Sequence, residues 1–447
     1  MAAPTPAAIR LPAGVRDYLP RAAGVRRAVT ERVMATFESW GYRRIITPLL
    51  ECADVLARGL GQSTGTSAIH FVEPTGGEVV ALRPDITPQV ARLAATRLAA
   101  EARPLRLCYE GAVTRISSRP GPAELAQAGV ELIGATGPGA DGEVIALAAA
   151  TLAAWPAADV RLELGHVGPV GHLLATAPSP AARDRLLRAL RDRDRAALAR
   201  AAAPWPAATR RLAEVVLTLT GPADEVLAEA RRLAWPVAVK RALAELAAAM
   251  AVADELGAAG PGRAAAAPRL LDLGEVRGMG YYTGLRIAGY VAGAADAVLR
   301  GGRYDELLAR YDAPAPAIGL AVDLEALAEA VGADARGPAC VVVVAADRRR
   351  AARVAAGLRA AGHHVVVGLG AARAGARSFG VDVVVDLTAG VVVGPASQVR
   401  IGAGLEPVAL ARAVAAACVA PPPPPPPPRG RRAASNTVVS SRSRARS

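Results

Sequence analysis

A chain of 447 residues is long enough for two or three domains, and 52% apolar residues can fill ordinary cores. Its four cysteines, Cys52, Cys108, Cys340 and Cys418, are far apart and form no C-x-x-C pair, so neither a disulfide framework nor a zinc site is indicated. The formal charge of +13 argues only weakly for a nucleic-acid partner: Lys240 is the one lysine among 53 basic residues, and the last 27 residues carry six arginines and no acid.

In chain order, Met1 to Gly14 lacks the continuous apolar core of a signal peptide, and no uncharged apolar run reaches membrane-spanning length. A soluble cytoplasmic protein is expected. Arg21 to Trp40 reads as a helix stopped by Gly41, and Arg43 to Pro48 as an extended segment. Thr87-Pro88 reads as a helix start with Thr87 as N-cap, leading to about Ala100. Leu105–Tyr109, Ala112–Ile116 and Ala126–Ile133 read as strands, which favours an antiparallel sheet covered by helices. Residues 176–256, rich in Ala, Leu, Arg and Glu, read as a helical insertion in a core spanning 1–330. A separate α/β domain is expected over 337–420, starting as β-α-β. Pro421 to Pro428 and the Arg/Ser-rich end, 421–447, read as a polyproline II spacer followed by a disordered tail.

Two segments point to chemistry. On a strand, Gln127, Gly129 and Glu131 share one face while Ala128, Val130 and Leu132 form the apolar other face. A carboxylate and an amide with a glycine between them can hold the α-ammonium and polar atoms of an amino acid; a half-buried strand facing solvent is the alternative. Further on, Arg277-Gly278-Met279-Gly280-Tyr281-Tyr282-Thr283-Gly284 puts adjacent tyrosines among glycines. Adjacent strand residues point to opposite faces, so both rings can line one pocket only if the backbone bends there.

These blocks resemble histidyl-tRNA synthetases. Pro12 to Pro20 resembles the N-terminal signature of that family, Gly41 to Glu51 resembles class II motif 1, and Leu82-Arg83-Pro84-Asp85-Ile86-Thr87 resembles its "LRPE-x-T" block with Asp for Glu. The 277–284 stretch and Gly301-Gly302-Arg303-Tyr304-Asp305 resemble its histidine-recognition segment. The resemblance implies an α+β fold, a class II aminoacyl-tRNA synthetase-like antiparallel sheet flanked by helices, with a helical insertion and a small C-terminal anticodon-binding-like α/β domain. It also implies a histidine pocket made of Asp85, Thr87, Gln127, Glu131, Arg277, Tyr281 and Tyr282, with Arg115 of motif 2 as a residual phosphate-site arginine.

The nucleotide machinery departs from the family pattern. Ser117 stands where motif 2 usually has an acid, the loop Arg119 to Leu125 lacks the "GRxRE" arginines, Ala326 replaces the motif 3 arginine, and Asp323 replaces a glycine. Phosphoryl-type chemistry depends on preorganised positive charge, and removing one such donor costs on the order of 3 kcal/mol in the transition state. A retained amino-acid pocket with a degraded nucleotide site closely resembles the regulatory subunits of ATP phosphoribosyltransferase. That resemblance implies no catalysis by the chain itself, no cofactor and no metal. It further implies a short-form ATP phosphoribosyltransferase catalytic subunit as partner, histidine as feedback effector, a homodimer within a hetero-oligomer, and no tRNA or membrane partner. A divergent histidyl-tRNA synthetase, or a synthetase-like paralogue binding RNA or protein, is the alternative.

Overall fold

The computed structural model describes residues 10–60, 68–116, 123–156, 158–258, 269–332, 340–368, 381–394, 397–402 and 407–418. The Pro-rich and Arg/Ser-rich segment 421–447 lies outside them, as do Ser117 and residues 119–122. Contacts divide the chain into two compact units, Met1–Gly337 and Pro338–Ser447.

The first unit begins with α1 (Pro20–Ser39), whose start is favoured by Pro20 and whose end is set by Gly41 at φ +82°. Its apolar stripe buries Val29, Val33, Met34 and Phe37. There follow β1 (Arg43–Arg44), β2 (Leu50–Cys52), α2 (Ala53–Gly59), β3 (Ile69–Val72), β4 (Val79–Leu82), α3 (Thr87–Ala95), β5 (Leu105–Thr114), β6 (Glu124–Ile133), α4 (Gly137–Ala153), β7 (Val160–His166) and α5 (Val167–Ala175). Next come α6 (Pro180–Arg191), α7 (Arg195–Ala202), α8 (Ala207–Val216), β8 (Thr220–Pro222), α9 (Ala223–Arg231), α10 (Val237–Ala258), β9 (Arg269–Asp272), β10 (Leu285–Val291), β11 (Leu299–Arg303), β12 (Ala317–Asp323) and α11 (Leu324–Val331). Nine strands form one sheet in the order β1-β5-β6-β12-β11-β10-β7-β9-β8, antiparallel except for the parallel pairs β1–β5 and β7–β9. Strands β2, β4 and β3 form a small separate sheet.

One face of the large sheet is apolar: Ala128, Val130 and Leu132 of β6 and Leu320 and Val322 of β12 share a core with the helices. Helix α4 has no polar face; Val144, Ile145, Leu147 and Leu152 are buried, each contributing about 1.5–3 kcal/mol by burial. A Cβ at Gly142 would overlap Val252 and the Ala249 carbonyl, so this glycine permits the close crossing of α4 with α10.

The structure differs from the sequence reading in four places. Thr87 is the first helical residue of α3, not its N-cap, because the Asp85 Oδ1 already accepts the Thr87 N–H at 3.1 Å. The Thr87 hydroxyl is thereby left to meet Tyr109, and the helix stops at Ala95, well short of Ala100. Leu105–Thr114 is one strand and not two, since its whole length pairs with β6. Residues 176–256 are not helical throughout: β8 joins the edge of the large sheet, and Leu186, Leu198, Leu212 and Leu243 belong to the same core as Leu162 and Leu271 of that sheet.

The second unit contains β13 (Cys340–Val344), α12 (Arg348–Ala360), β14 (His364–Val367), β15 (Val383–Asp386), β16 (Val391–Val393), β17 (Gln398–Arg400) and α13 (Pro407–Cys418). β13 pairs in parallel with β14 and β15, as the β-α-β reading requires. The fourth difference is the antiparallel β15-β16-β17 meander, invisible in the sequence because its last two strands have only three residues each. Among the described residues, no helix is long and apolar enough to cross a membrane.

Candidate functional site

The second face of the large sheet carries a trough. Register places Glu131 opposite Gly319, Gly129 opposite Ala321 and Gln127 opposite Asp323; Gly319 in turn faces Gly302, and Ala321 faces Arg300. Small residues at 129, 302, 319 and 321 therefore run side by side across β6, β12 and β11; Tyr109 covers Gly129 and Tyr282 covers Gly302, and the space above the strands opens at Gly319 and Ala321. The space is a cavity of about 360 Å³, within the range of roughly 300–1,000 Å³ typical of small-molecule sites. Seven of the eight residues singled out from sequence line it: Asp85, Thr87, Arg115, Gln127, Glu131, Tyr281 and Tyr282.

Glu131 lies at the bottom, 2% exposed. Its Oε1 accepts the Tyr109 hydroxyl at 3.1 Å, and Tyr109 meets the Thr87 hydroxyl at 3.3 Å. Its Oε2 is buried without a hydrogen-bond partner, as is the Tyr304 hydroxyl. Both border one point, because a Cβ at Gly319 would overlap Glu131 Oε2 and Tyr304 Oη together. Burial pushes the Glu131 carboxyl well above the usual carboxylate range, outweighing the hydroxyls of Thr87 and Tyr109, and the Asp85 charge adds to the rise. Burial pushes the Tyr109 phenol up as well. An acid this deep, with an oxygen that no protein group meets, can hydrogen-bond a ligand that enters the cavity.

Asp85 and Arg115 stand nearer the mouth, 32% and 43% exposed, with Nη2 and Oδ2 separated by 4.0 Å. The Arg115 Nε donates to the Pro84 carbonyl at 2.8 Å. Gln127 Oε1 accepts the Ile86 N–H at 3.2 Å, which ties the Asp85 turn to β6 and leaves the amide NH₂ available. Arg83, from the same block, is structural: it is buried and donates to Thr47, Pro48, Gln89 and Ala112, holding the segment that carries Asp85.

Tyr281 and Tyr282 both reach the cavity because the backbone turns: Gly278 and Gly280 have φ +76° and +90°, and the N–H groups of both tyrosines donate to the Gly278 carbonyl. Their rings meet edge to face at 5.2 Å, and Tyr281 lies 5.4 Å from the Tyr304 ring. The loop is fastened from behind. The Thr283 N–H donates to the Arg303 carbonyl at 2.7 Å, and the buried Arg303 guanidinium pairs with Asp141 at 2.6 Å and Asp305 at 2.9 Å.

Arg277 is the exception. It does not line the cavity; its side chain is 56% exposed and donates through Nε and Nη2 to Glu275 Oε2 at 3.0 and 2.8 Å. Burial alone would raise the Glu275 carboxyl, yet hydrogen bonds from the Arg277 side chain and backbone pull it down to about 2. A carboxylate two residues away captures the guanidinium before the glycine turn can aim it inward. Glu275 belongs to a convergence with Glu163 and Asp272, ligand atoms within 4.8 Å of one another. These acids meet Arg277, Arg193 (paired with Asp272) and Arg286, whose nearby charges offset theirs.

Comparison with known proteins agrees with this geometry. The family described as histidyl-tRNA synthetase matches residues 14–327. The chain is 44% identical to an ATP phosphoribosyltransferase regulatory subunit from Anaeromyxobacter sp. (strain K) over 328 residues, 72% of this chain and 91% of that protein. It belongs to the histidyl-tRNA synthetase-like family of ATP phosphoribosyltransferase regulatory subunits. The regulatory subunit of Geobacter metallireducens is 38% identical over 81% of this chain and 84% of its own length. Among solved structures, an ATP phosphoribosyltransferase regulatory subunit/histidyl-tRNA synthetase from Bacillus halodurans superposes with a TM-score of 0.72 at 31% identity, covering 86% of this chain and 99% of that one. Histidyl-tRNA synthetase from Nostoc sp. PCC 7120, at 19% identity and TM-score 0.70 over 91% of this chain and 99% of that one, shares the fold.

Among the described residues, the cavity is lined by the acids Asp85, Glu131 and Asp323 and by the arginines Arg115 and Arg300. Asp323 lines it and caps α11, accepting the Glu325 and Ala326 N–H groups at 3.1 and 2.9 Å. Ala326 packs against the apolar core with no cation in its place. Sequence reasoning missed Arg300 and Tyr304 as pocket residues and Tyr109 as the partner of Glu131. Tyr109 ends a strand read from sequence and Tyr304 sits in the 301–305 block, so strand alternation could have flagged both; Arg300 precedes that block and carries no local signal.

Proposed function

We propose that the cavity senses histidine and that the chain is the non-catalytic regulatory subunit of a cytoplasmic ATP phosphoribosyltransferase, needed for the first step of histidine biosynthesis. Its partner would be a short-form catalytic subunit, which carries out the phosphoribosyl transfer, in a hetero-oligomer built on a homodimer of this chain. The observation that carries the reading is the Glu131 Oε2, buried without a donor beside an equally unpartnered Tyr304 hydroxyl. An imidazole N–H entering there supplies the missing donor, while Asp85 at the mouth and the second lone pair of Gln127 Oε1 accept the α-ammonium. Asp85, Thr87, Gln127, Glu131, Tyr281 and Tyr282 remain the proposed pocket, and Arg277 drops out of it.

Absence of adenylation is supported by the charge at the mouth. Arg115 is engaged by the Pro84 carbonyl and faces Asp85, Asp323 adds a carboxylate, and residue 326 offers none of the cation a triphosphate needs. Feedback then requires only that histidine favour one of two assembly states, a coupling of about 1–3 kcal/mol. Co-expression with the short-form catalytic subunit tests this: a complex forms, gains phosphoribosyltransferase activity and loses it on adding histidine. Histidine-dependent ATP/pyrophosphate exchange by the purified chain alone would refute it.

A further inference from the structure

We propose that Arg300 is the residue that recognises the carboxylate of the amino acid bound in this cavity, taking the place from which Arg277 is withdrawn. The assignment rests on the histidine reading above and adds the residue that sets ligand class: an α-amino acid carrying a free carboxylate, as opposed to the corresponding amine.

Four observations converge on it. Arg300 lines the cavity and Arg277 does not. Strand register fixes the side from which Arg300 enters: Leu299 of β11 is wholly buried in the core beneath the sheet, so Arg300, the next residue, stands on the trough face opposite Ala321. Alanine at 321 leaves the guanidinium room over β12, and the Tyr109 ring, which covers Gly129 on the next strand, bounds that room on the far side. Third, Arg277 is committed, donating through Nε and Nη2 to one oxygen of a largely buried Glu275, whereas Arg300 has one ion pair, with Asp296 at 2.6 Å, in which the two side chains are 47% and 63% exposed. Asp296 also stands 3.7 Å from Arg277 Nη1, so it can remain near one arginine while the other turns toward a ligand.

The fourth is span. Glu131 and Arg300 are separated by two strand spacings across the sheet and two residues along it, which places their Cα atoms about 12 Å apart. Side chains reaching inward from both ends leave a gap that fits an imidazole at Glu131 and a carboxylate at Arg300. Arg115 is the other cation on the wall, but its Nε is held by the Pro84 carbonyl and its tip faces Asp85, where the α-ammonium belongs. A guanidinium fork suits a carboxylate because it can donate two parallel N–H groups.

Calorimetry on the full chain with L-histidine and histamine, which lacks the carboxylate, tests the assignment. The unaltered chain is expected to prefer histidine on the order of 10- to 100-fold, the range of a charge-assisted hydrogen bond. Arg300→Ala collapses the preference to within about 3-fold by weakening histidine alone, Arg300→Lys restores part of it, and Arg277→Ala leaves it intact. Retained discrimination in Arg300→Ala, or its loss in Arg277→Ala, overturns the assignment while leaving the histidine pocket standing. Failure of the unaltered chain to bind either compound overturns the pocket reading and this assignment with it.

Discussion

Replacing Glu131 by Gln should move stability and affinity in opposite directions. In the ligand-free protein the carboxyl is 2% exposed, receives the Tyr109 hydroxyl on Oε1 and has nothing on Oε2. Its folded-state pKa is raised by burial, so its contribution to stability is fully present below the unfolded value of 4.5 and is lost as pH rises through the folded one. Above neutrality the native state therefore holds either an expensive charge or a proton taken up against the solution. Glutamine removes that conflict: its oxygen still accepts from Tyr109, and its NH₂ can donate to the orphaned Tyr304 Oη. Relieving an unsatisfied buried group is worth about 1–3 kcal/mol, which at about 2–4 °C per kcal/mol raises the melting temperature by roughly 2–12 °C at pH 8 and by less at pH 5. The same change takes the acceptor from a histidine imidazole and weakens binding by about 10-fold or more. Thermal melts over pH 5–8 with calorimetric titration of histidine check both arms. A Glu131→Gln protein that melts no higher than the unaltered chain at pH 8, or binds histidine equally well, refutes the argument.

Three other outcomes follow from the geometry. Gly319→Ala should abolish histidine binding and destabilise the fold by about 1–3 kcal/mol, since the added Cβ meets Glu131 Oε2, Tyr304 Oη and the Val130 carbonyl; calorimetry and urea melts read both effects. Arg303→Ala should cost about 3–5 kcal/mol by stranding the mostly buried Asp141, and should loosen the Tyr281–Tyr282 loop through Asp305, whose carboxylate Arg303 holds and whose N–H donates to the Thr283 hydroxyl; unfolding midpoints measure the first and protease nicking near 278–284 the second. His166 caps α5, its Nδ1 accepting the Gly168 N–H at 3.0 Å, and burial lowers its pKa to about 4. Its contribution is fully present above about pH 6.5 and is lost toward pH 4, roughly 3 kcal/mol in all; that part of the acid slope should vanish in His166→Asn, measured by urea unfolding at stepped pH.

The fold class, the family and most of the cavity were legible in the chain itself. Alternation at 127–131 put Gln127, Gly129 and Glu131 on one face because a strand has period two, and the glycines at 278 and 280 announced the turn that brings two adjacent tyrosines to one side. These are local facts, set by residues within a few positions of one another. Arg277 shows where local reasoning stops: its motif suggested a pocket residue, but whether its long side chain turns inward depends on Glu275, and on Asp272, Glu163 and Arg286 brought there by other strands. Nor did local spacing show that the Tyr109 ring, brought by the neighbouring strand, covers Gly129.

Sequence by itself determined which side chains could recognise an amino acid and that the motif 3 arginine is gone, since both are matters of residue identity and short-range spacing. Only the tertiary structure decided that Glu131 is buried with one oxygen unpartnered, that Tyr304 and Gly319 meet it, and that Arg300 enters the trough while Arg277 leaves it. The reason is that burial and charge pairing are sums over neighbours supplied by strands more than a hundred residues apart, and cross-strand register sets those neighbours.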